Sequence, residues 1–122
     1  MLNGACQCGA VRFTATRPAR DPAACHCGQC RRQSGHYWAS VQVLDADLEI
    51  EGEVRWFSSS PGARRGFCPI CGSFLFWKSA AEPDTGVSLG SLDTPTGLTL
   101  TRHIFTADKG DYYELPPGAD AR

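Results

Sequence analysis

Seven cysteines, gathered in three short motifs, are the residues of this chain whose type and spacing could do chemistry. The motifs are a C-x-C pair, a C-x-C-x-x-C group and a C-x-x-C-G turn, which contain Cys6 and Cys8, then Cys25, Cys27 and Cys30, then Cys68 and Cys71. An odd number of cysteines excludes a complete set of intramolecular disulfides. Because the N-terminus does not resemble a signal peptide, we expect a reducing cytoplasmic environment, where clustered thiols are more often metal ligands or nucleophiles.

The C-x-x-C-G turn is the most specific of the three motifs. Its thiolates, Cys68 and Cys71, can reach one zinc ion, and Gly72 tolerates the positive φ that the exit of the turn requires. A tetrahedral site needs two more ligands, and Cys6 and Cys8 are the better donors because residues two apart on a strand face the same side. We therefore predict a closed structural zinc site, which in known cases contributes on the order of 10 kcal/mol to folding.

The middle motif is then left with three thiolates, from Cys25, Cys27 and Cys30. Three protein ligands with one open position are typical of a catalytic zinc site. Peptide N–H groups at the start of a short helix, with Arg31 and Arg32 nearby, should help to keep these sulfurs ionised. The open position could bind water or the thiolate of a substrate.

Three alternatives for the middle motif stay open on the sequence alone. His26 could supply a fourth ligand and close the site, although its position between two ligands favours a ring that points away from the metal. Cys27 and Cys30 could form a redox disulfide, since C-x-x-C alone does not separate redox from metal use. An iron–sulfur cluster is a third alternative, which the knuckle pattern disfavours relative to zinc.

Short strands must position these motifs. Alternating or compact apolar runs predict strands at residues 11–15, 36–43, 73–78, 87–92 and 98–101, and a hairpin of 48–50 with 54–57 that turns at 51–53. The plausible helix is one or two turns after Cys27. With 13 glycines and 8 prolines, the pattern predicts an all-β fold of short antiparallel strands with at most one short helix. We expect a single zinc-binding domain over residues 1–115 and a flexible tail over 116–122.

Composition excludes several functional classes. The formal net charge of −1 argues against a protein that holds nucleic acid by bulk positive charge. The longest apolar runs last only a few residues, so no membrane span is expected. We therefore expect a soluble protein that is not secreted.

The three cysteine motifs together resemble one known family. The matching residues are Gly4-x-Cys6-x-Cys8-Gly9, Cys25-His26-Cys27-x-x-Cys30-Arg31 and Phe67-Cys68-x-x-Cys71-Gly72-Ser73-x-Leu75. In this order they look like the glutathione-dependent formaldehyde-activating enzyme family, whose other named branch is centromere protein V. The resemblance runs from Gly4 to about Glu114, and Tyr112 stands where family members often show a tryptophan.

The resemblance implies a β-tent fold, two zinc ions and a specific activity. By position, Cys6, Cys8, Cys68 and Cys71 would hold the structural zinc and Cys25, Cys27 and Cys30 the catalytic one. The activity is formation of S-hydroxymethylglutathione from glutathione and formaldehyde, a carbon–sulfur lyase reaction. The alternative is a non-catalytic zinc module that binds a protein partner. The sequence does not predict the oligomeric state.

Charged and aromatic residues around the motifs supply further candidates. His26, His36 or His103 could deliver the proton that the adduct needs. The carboxylates of glutathione could be anchored by arginines, for which the candidates are Arg31, Arg32, Arg64 and Arg65. We interpret the three tryptophans, Trp38, Trp56 and Trp77, as core or sheet-face residues.

Overall fold

The computed structural model describes all 122 residues and contains two β-sheets and one α-helix. The helix α1 (Gly28–Ser34) follows Cys27 as expected. The strands are β1 (Leu2–Ala5), β2 (Arg12–Ala15), β3 (Ala23–Cys25), β4 (Trp38–Leu44), β5 (Leu48–Glu51), β6 (Arg55–Ser60), β7 (Ala63–Phe67), β8 (Phe74–Ser79), β9 (Asp84–Ser88), β10 (Arg102–Ile104) and β11 (Asp120–Ala121). The prediction of an all-β fold with one short helix is confirmed.

The two sheets differ in size and share no strand. The small sheet has the order β1-β2-β5, and the large sheet has the order β11-β10-β3-β4-β9-β8-β7-β6. Neighbouring strands are antiparallel except where β10 pairs in parallel with β3 and with β11. Mostly antiparallel sheets of this kind can bury one face and leave the other for function.

One face of the large sheet packs against the small sheet and forms the hydrophobic core. Alternate residues of β4, Val41 and Val43, are fully buried there with Phe76 of β8. Phe13 of the small sheet meets Phe76 edge to face, with ring centroids 5.3 Å apart. A Cβ atom at Gly4 would lie 2.3 Å from the Phe13 ring, so the glycine is required for this close approach.

The opposite face of the large sheet carries a different row of residues. Because directly opposed residues in a ladder point to the same side, the register from β4 through β9 and β8 to β7 fixes a row across the sheet. The row runs Gln42, Gly86, Trp77 and Arg65. Cys25, the last residue of β3, lies opposite Trp38, so the middle cysteine motif begins beside this face.

The predicted hairpin at residues 48–57 is wrong. β5 pairs with β2 in the small sheet, whereas β6 pairs with β7 in the large sheet. The chain leaves β5 at Gly52, where φ is +96° and a Cβ would lie 2.1 Å from the Ala10 carbonyl oxygen. The turn therefore passes tightly against the neighbouring loop and carries the chain from one sheet to the other.

Other boundaries also differ from the expected ones. The region predicted as a strand at 98–101 is irregular, and the strand β10 begins directly after it. The strand predicted at 87–92 is β9, which lies earlier, and is followed by a short 3-10 helix at Leu89–Ser91. No helix is long and apolar enough to cross a membrane.

The C-terminal segment returns to the sheet. Within residues 116–122, which we expected to form a flexible tail, β11 pairs with β10, and the Arg122 N–H donates to the His103 carbonyl at 2.8 Å. The mobility of this segment and the single-domain boundary at residue 115 stay predictions.

Candidate metal centres and the adjoining cavity

Four cysteines come together where the two sheets meet. Cys6 and Cys8 lie in the turn after β1, and Cys68 and Cys71 lie in the turn between β7 and β8. All four Sγ atoms lie within 4.8 Å of one another. The predicted group is therefore assembled, although Cys6 and Cys8 are brought together by a turn after the strand and not by the strand itself.

The sulfur spacing in this group fits a tetrahedral metal ion. The Cys6 and Cys8 Sγ atoms are 3.6 Å apart, and those of Cys8 and Cys68 are 3.7 Å apart. A zinc–sulfur bond of about 2.3 Å gives a tetrahedron with edges of about 3.8 Å. The donor set and its geometry can therefore hold a metal ion such as zinc.

Backbone groups of the C-x-x-C-G turn point at the Cys68 sulfur. The N–H groups of Ile70 and Cys71 donate to Cys68 Sγ at 3.4 and 3.5 Å. Gly72 has a φ of +80°, as the turn exit requires. Hydrogen bonds from Ser73, first from its side chain and then from its backbone, lower the pKa of the exposed Cys71 thiol to about 5. The turn favours thiolates and therefore metal binding.

The second group contains three cysteines and no fourth donor. Cys25 ends β3, Cys27 caps the N-terminus of α1, and Cys30 lies in its first turn. The Cys30 N–H donates to Cys27 Sγ at 3.4 Å, and the three Sγ atoms lie within 4.8 Å of one another. These residues can hold a metal ion through three sulfurs, with a coordination position left for another ligand.

Arg65 is the charged residue that touches this second group. Its Nη1 and Nη2 atoms donate to Cys30 Sγ at 3.5 and 3.7 Å, and Nη2 also donates to Gln29 Oε1 at 3.2 Å. Arg65 is only 3% exposed, and none of the ion pairs in the protein involves it. Its buried charge is therefore compensated by the sulfurs, since isolated buried charges are strongly disfavoured.

The Cys25–Cys30 pair shares its protons unequally. The pKa of the Cys30 thiol is lowered to about 6, first by a hydrogen bond from the Cys25 thiol and then by contact with Arg65. Burial acts in the opposite direction. The same hydrogen bond, together with burial, raises the pKa of Cys25. Of this pair, Cys30 is therefore the sulfur that ionises first.

His26 points away from the three sulfurs. It is fully buried, its Nδ1 atom bonds to the Tyr113 hydroxyl, and its Nε2 atom lies 2.9 Å from His103 Nδ1. Burial, and then the neighbouring charges of His103, His36 and Lys109, lower the pKa of His26. Because both ring nitrogens are engaged, this arrangement does not support His26 as a fourth metal ligand.

The three histidines belong to one aromatic cluster behind the Cys25–Cys27 loop. His36 Nδ1 lies 3.1 Å from the Tyr112 hydroxyl, and the rings of Tyr37 and Tyr113 pack against those of His26 and His36. None of the three histidines lines the cavity beside the sulfurs. Their positions favour a structural role over proton delivery to a bound substrate.

A cavity of about 340 Å³ adjoins the three-cysteine group. Its volume is at the lower end of the range for ligand cavities. Cys25, Cys27 and Cys30 form one wall, and the face of the large sheet that lies opposite the core forms the floor. The other lining residues are Gln29, Trp38, Ser40, Gln42, Ser60, Arg65, Trp77, Ile104 and Phe105.

Phe105 has the one unusual backbone conformation in the cavity lining. It has a φ of +54° and a ψ of +40°, and it is the only non-glycine residue with positive φ in the protein. A bulky side chain in this region costs about 1–2 kcal/mol. Hydrogen bonds hold the turn at this residue, since the Asp108 N–H donates to the Phe105 carbonyl at 3.1 Å, and the Phe105 side chain is 58% exposed.

The four candidate arginine anchors separate in space. Arg64 and Arg65 are consecutive on β7 and point to opposite faces, and the Arg64 guanidinium lies 4.3 Å from the Trp56 ring centroid, away from the cysteines. Arg32 lines a hollow next to the cavity together with Gln29 and Arg65. Arg31 lies near the aromatic cluster, where burial raises the pKa of Tyr113 and the positive charge of Arg31 opposes that rise. Arg32 is therefore the anchor candidate that remains accessible beside the cavity.

Sequence reasoning missed most of the cavity lining. Trp38 and Trp77 were interpreted as core or sheet-face residues, and they lie on the sheet face that floors the cavity, while Trp56 packs against the core. The signal was present in β4, where Trp38, Ser40 and Gln42 alternate with the buried residues Val41 and Val43. A strand with an aromatic and polar outer face directly after a cysteine motif indicates a lined site rather than a solvated surface.

Comparison with known proteins agrees with this arrangement. A model of the glutathione-dependent formaldehyde-activating enzyme family matches residues 1–108. The chain belongs to this family. A Halomonas elongata protein, named provisionally as a glutathione-dependent formaldehyde-activating enzyme, is 28% identical over an alignment of 131 positions, which covers 94% of this chain and 81% of that protein.

The fold of the family member described here also has a solved counterpart. The crystal structure of a Rhodobacter sphaeroides protein superimposes with a TM-score of 0.64 at 23% sequence identity. The match covers 81% of this chain and 99% of that one. At this level of identity the likeness establishes a shared fold and nothing about activity.

Proposed function

We propose that this family member is a zinc-dependent enzyme of the carbon–sulfur lyase type. It would handle adducts of a small thiol, glutathione or a relative, with formaldehyde or another aldehyde. The observation that carries the proposal is that three cysteine sulfurs, and not four, meet in the wall of a cavity. The family name and that of the Halomonas relative support the choice of thiol and aldehyde.

Two zinc ions with different roles are part of the proposal. Cys6, Cys8, Cys68 and Cys71 would hold the structural zinc, because four sulfurs at tetrahedral spacing close the coordination shell. Cys25, Cys27 and Cys30 would hold the catalytic zinc, because their shell is one ligand short. Zinc in such a site acts as a Lewis acid and favours the ionised form of a substrate thiol.

The reaction is the addition of a thiol across a carbonyl group. A carbon–sulfur bond forms, the carbonyl π bond breaks, and the thiol proton ends on the former carbonyl oxygen. The reverse reaction cleaves the carbon–sulfur bond and returns the thiol and the aldehyde. The hydroxyl groups of Ser40 and Ser60 and the amide of Gln42 are available in the lining as hydrogen-bond partners for the hydroxyl group of the adduct.

Arg65 and Arg32 have separate tasks in this proposal. Arg65 compensates the negative charge of the three sulfurs through its contacts with Cys30. Arg32, in the neighbouring hollow, is free to meet a carboxylate of the thiol substrate. The part of the substrate that carries charge would therefore lie outside the cavity, and the reacting sulfur would lie inside it.

Exchange spectroscopy tests the proposed activity directly. With formaldehyde and glutathione at equilibrium, two-dimensional NMR exchange should show that the zinc-loaded protein speeds interconversion of free thiol and S-hydroxymethyl adduct. Cys27→Ser should return the rate to the spontaneous value and leave the circular dichroism spectrum unchanged. Cys71→Ser should unfold the chain, because it opens the structural site. Exchange at the spontaneous rate with the wild-type protein, for every thiol tried, would contradict the proposed activity.

The same experiment addresses the alternative of a non-catalytic zinc module. Such a module needs no accessible coordination position, so wild type and Cys27→Ser would give the same exchange rate.

We further propose a cytoplasmic location, since all seven cysteines are free thiols and persistent free thiols are typical of reducing compartments.

A further inference from the structure

The cavity beside the three cysteines is walled mainly by apolar side chains. Trp38, Trp77, Ile104 and Phe105 line it together with the sulfurs. No carboxylate is in the lining, and the one charged residue, Arg65, is buried and already bonded to Cys30 and Gln29. The walls therefore suit an uncharged group.

Neither formaldehyde nor the charged groups of glutathione would make extensive contact with these apolar side chains. Formaldehyde contributes a single carbon, which needs far less than about 340 Å³. Glutathione carries two carboxylates and an ammonium group, and such groups need charged or hydrogen-bonding partners when they leave water. The one cation in the lining, Arg65, is already bonded to Cys30 and Gln29, and the uncharged polar groups of the lining cannot neutralise a carboxylate. The walls fit instead a carbon chain or ring attached near the thiol sulfur.

A buried glycine lies in the sheet directly beneath the residues that line the cavity. Gly86 lies in the ladder between Gln42 and Trp77, both of which line the cavity. A Cβ atom at Gly86 would lie 3.1 Å from Gln42 Nε2 and 3.4 Å from the Trp38 ring. The glycine therefore lets the Gln42 and Trp38 side chains pack close over the sheet, and a methyl group there would push them into the cavity.

Phe105 adds a second and independent observation. Its strained backbone holds a largely exposed aromatic ring at the cavity. Strained backbone positions are concentrated at active sites and ligand-contacting positions. A bound apolar group would cover the ring and account for its placement.

We propose that the aldehyde-derived part of the substrate is apolar and larger than one carbon, a branched aliphatic or arylalkyl group that lies against Trp38, Trp77 and Phe105. This proposal rests on the proposed function, because it specifies the carbonyl partner in the same thiol addition. The thiol S–H adds to R–CHO to give a hydroxyalkyl thioether, with the thiol proton on oxygen. No co-reactant is needed.

A series of aldehydes tests the proposal. Exchange of glutathione with formaldehyde, isovaleraldehyde and phenylacetaldehyde is followed by NMR, and each catalysed rate is divided by the spontaneous rate. We expect the ratio to be about tenfold or more higher for the two larger aldehydes, in line with the discrimination that apolar pockets achieve. Acceleration confined to formaldehyde would overturn this inference and leave the proposed function standing. Acceleration of none would contradict the proposed function itself.

Binding of stable thioethers separates recognition from catalysis. Calorimetry should show S-hexylglutathione binding about tenfold or more tighter than S-methylglutathione. Equal affinities would overturn the inference even if the enzyme is active.

Two pairs of matched variants locate the binding region. Phe105→Ala should reduce the preference for S-hexylglutathione, whereas Tyr112→Ala, whose side chain is equally exposed at 58% and lies outside the cavity and the hollow beside it, should leave it unchanged. Gly86→Ala should reduce the same preference, whereas Gly90→Ala, where an added Cβ meets nothing within 4 Å, should not. Equal effects of the two members in both pairs would contradict the assignment of the apolar walls as the recognition surface.

Discussion

Charge compensation at Cys30 is the residue-scale feature on which the second metal centre depends. A zinc ion with three thiolates carries one net negative charge, and Arg65 places one positive charge against it from a buried position. Arg65 also lies over the Phe74 ring, with its guanidinium carbon 5.6 Å from the ring centroid. Residues that contact ligands in this way commonly tune metal affinity by 10–100-fold.

Replacing Arg65 should therefore weaken the second centre selectively. We expect Arg65→Met to lower zinc affinity there by about 10–100-fold, because the sulfurs lose their only cationic partner. The measurement is zinc competition with a chromophoric chelator, which resolves the tight and the weaker ion. The control is Arg64→Met, one residue away on the opposite face of β7, where the side chain stacks on Trp56. Equal affinities in the two variants would contradict the role given to Arg65.

The roles of single residues were only partly visible in the sequence. The cysteine groups were predictable because a C-x-x-C-G turn and a C-x-C-x-x-C group carry their geometry within a few residues. The contact between Arg65 and Cys30 was not, since it joins residues 35 apart through the pairing of strands. Among the arginines of β7, nothing local distinguishes Arg65, which faces the cavity, from Arg64, which faces away.

At the scale of elements, the C-terminal segment supports the loop that carries Cys25 and Cys27. The Tyr113 hydroxyl bonds to the buried His26 ring, and Lys109 Nζ donates to the Tyr113 carbonyl at 2.7 Å. The family match ends at residue 108, so this support comes from residues beyond the matched region. From the sequence, His26 was a candidate proton donor. Its hydrogen bond to Tyr113, 87 residues further along the chain, was not predicted.

Removing the Tyr113 hydroxyl should destabilise the fold. Tyr113→Phe leaves a buried imidazole nitrogen without its partner, which costs about 1–3 kcal/mol. Tyr112→Phe is the control, because its hydroxyl bonds to His36 at an exposed position, and it should change stability by less than about 0.5 kcal/mol. Urea denaturation of the zinc-loaded proteins measures both. A Tyr113→Phe midpoint that matches wild type would contradict the supporting role of this segment.

Strand prediction succeeded where alternation was local and failed where sheet membership was decided by distant contacts. β2, β4 and β8 follow from their own patterns of apolar residues. β5 and β6 look like a hairpin because a Glu-Gly-Glu turn joins them, yet each pairs in a different sheet. The close passage of Gly52 past Ala10 decides this, and no sequence window contains both partners of that contact.

At the scale of the whole molecule, the two centres have different relations to the fold. The four-cysteine group joins the turn after β1 in the small sheet to the turn between β7 and β8 in the large sheet. A metal ion there would cross-link the two layers that enclose the core. The three-cysteine group lies on the opposite face, at the end of β3 and beside the cavity, where a metal ion would hold only β3 and α1.

X-ray absorption spectroscopy at the zinc edge tests this division most directly. We predict two zinc ions per chain, with seven sulfur ligands shared between them, rising to eight when glutathione is added because the open position accepts the substrate thiol. Cys27→Ser should abolish the increase and leave a fully sulfur-ligated ion in place. A single zinc ion per chain, or a sulfur count that glutathione does not change, would contradict the account of one closed and one open centre.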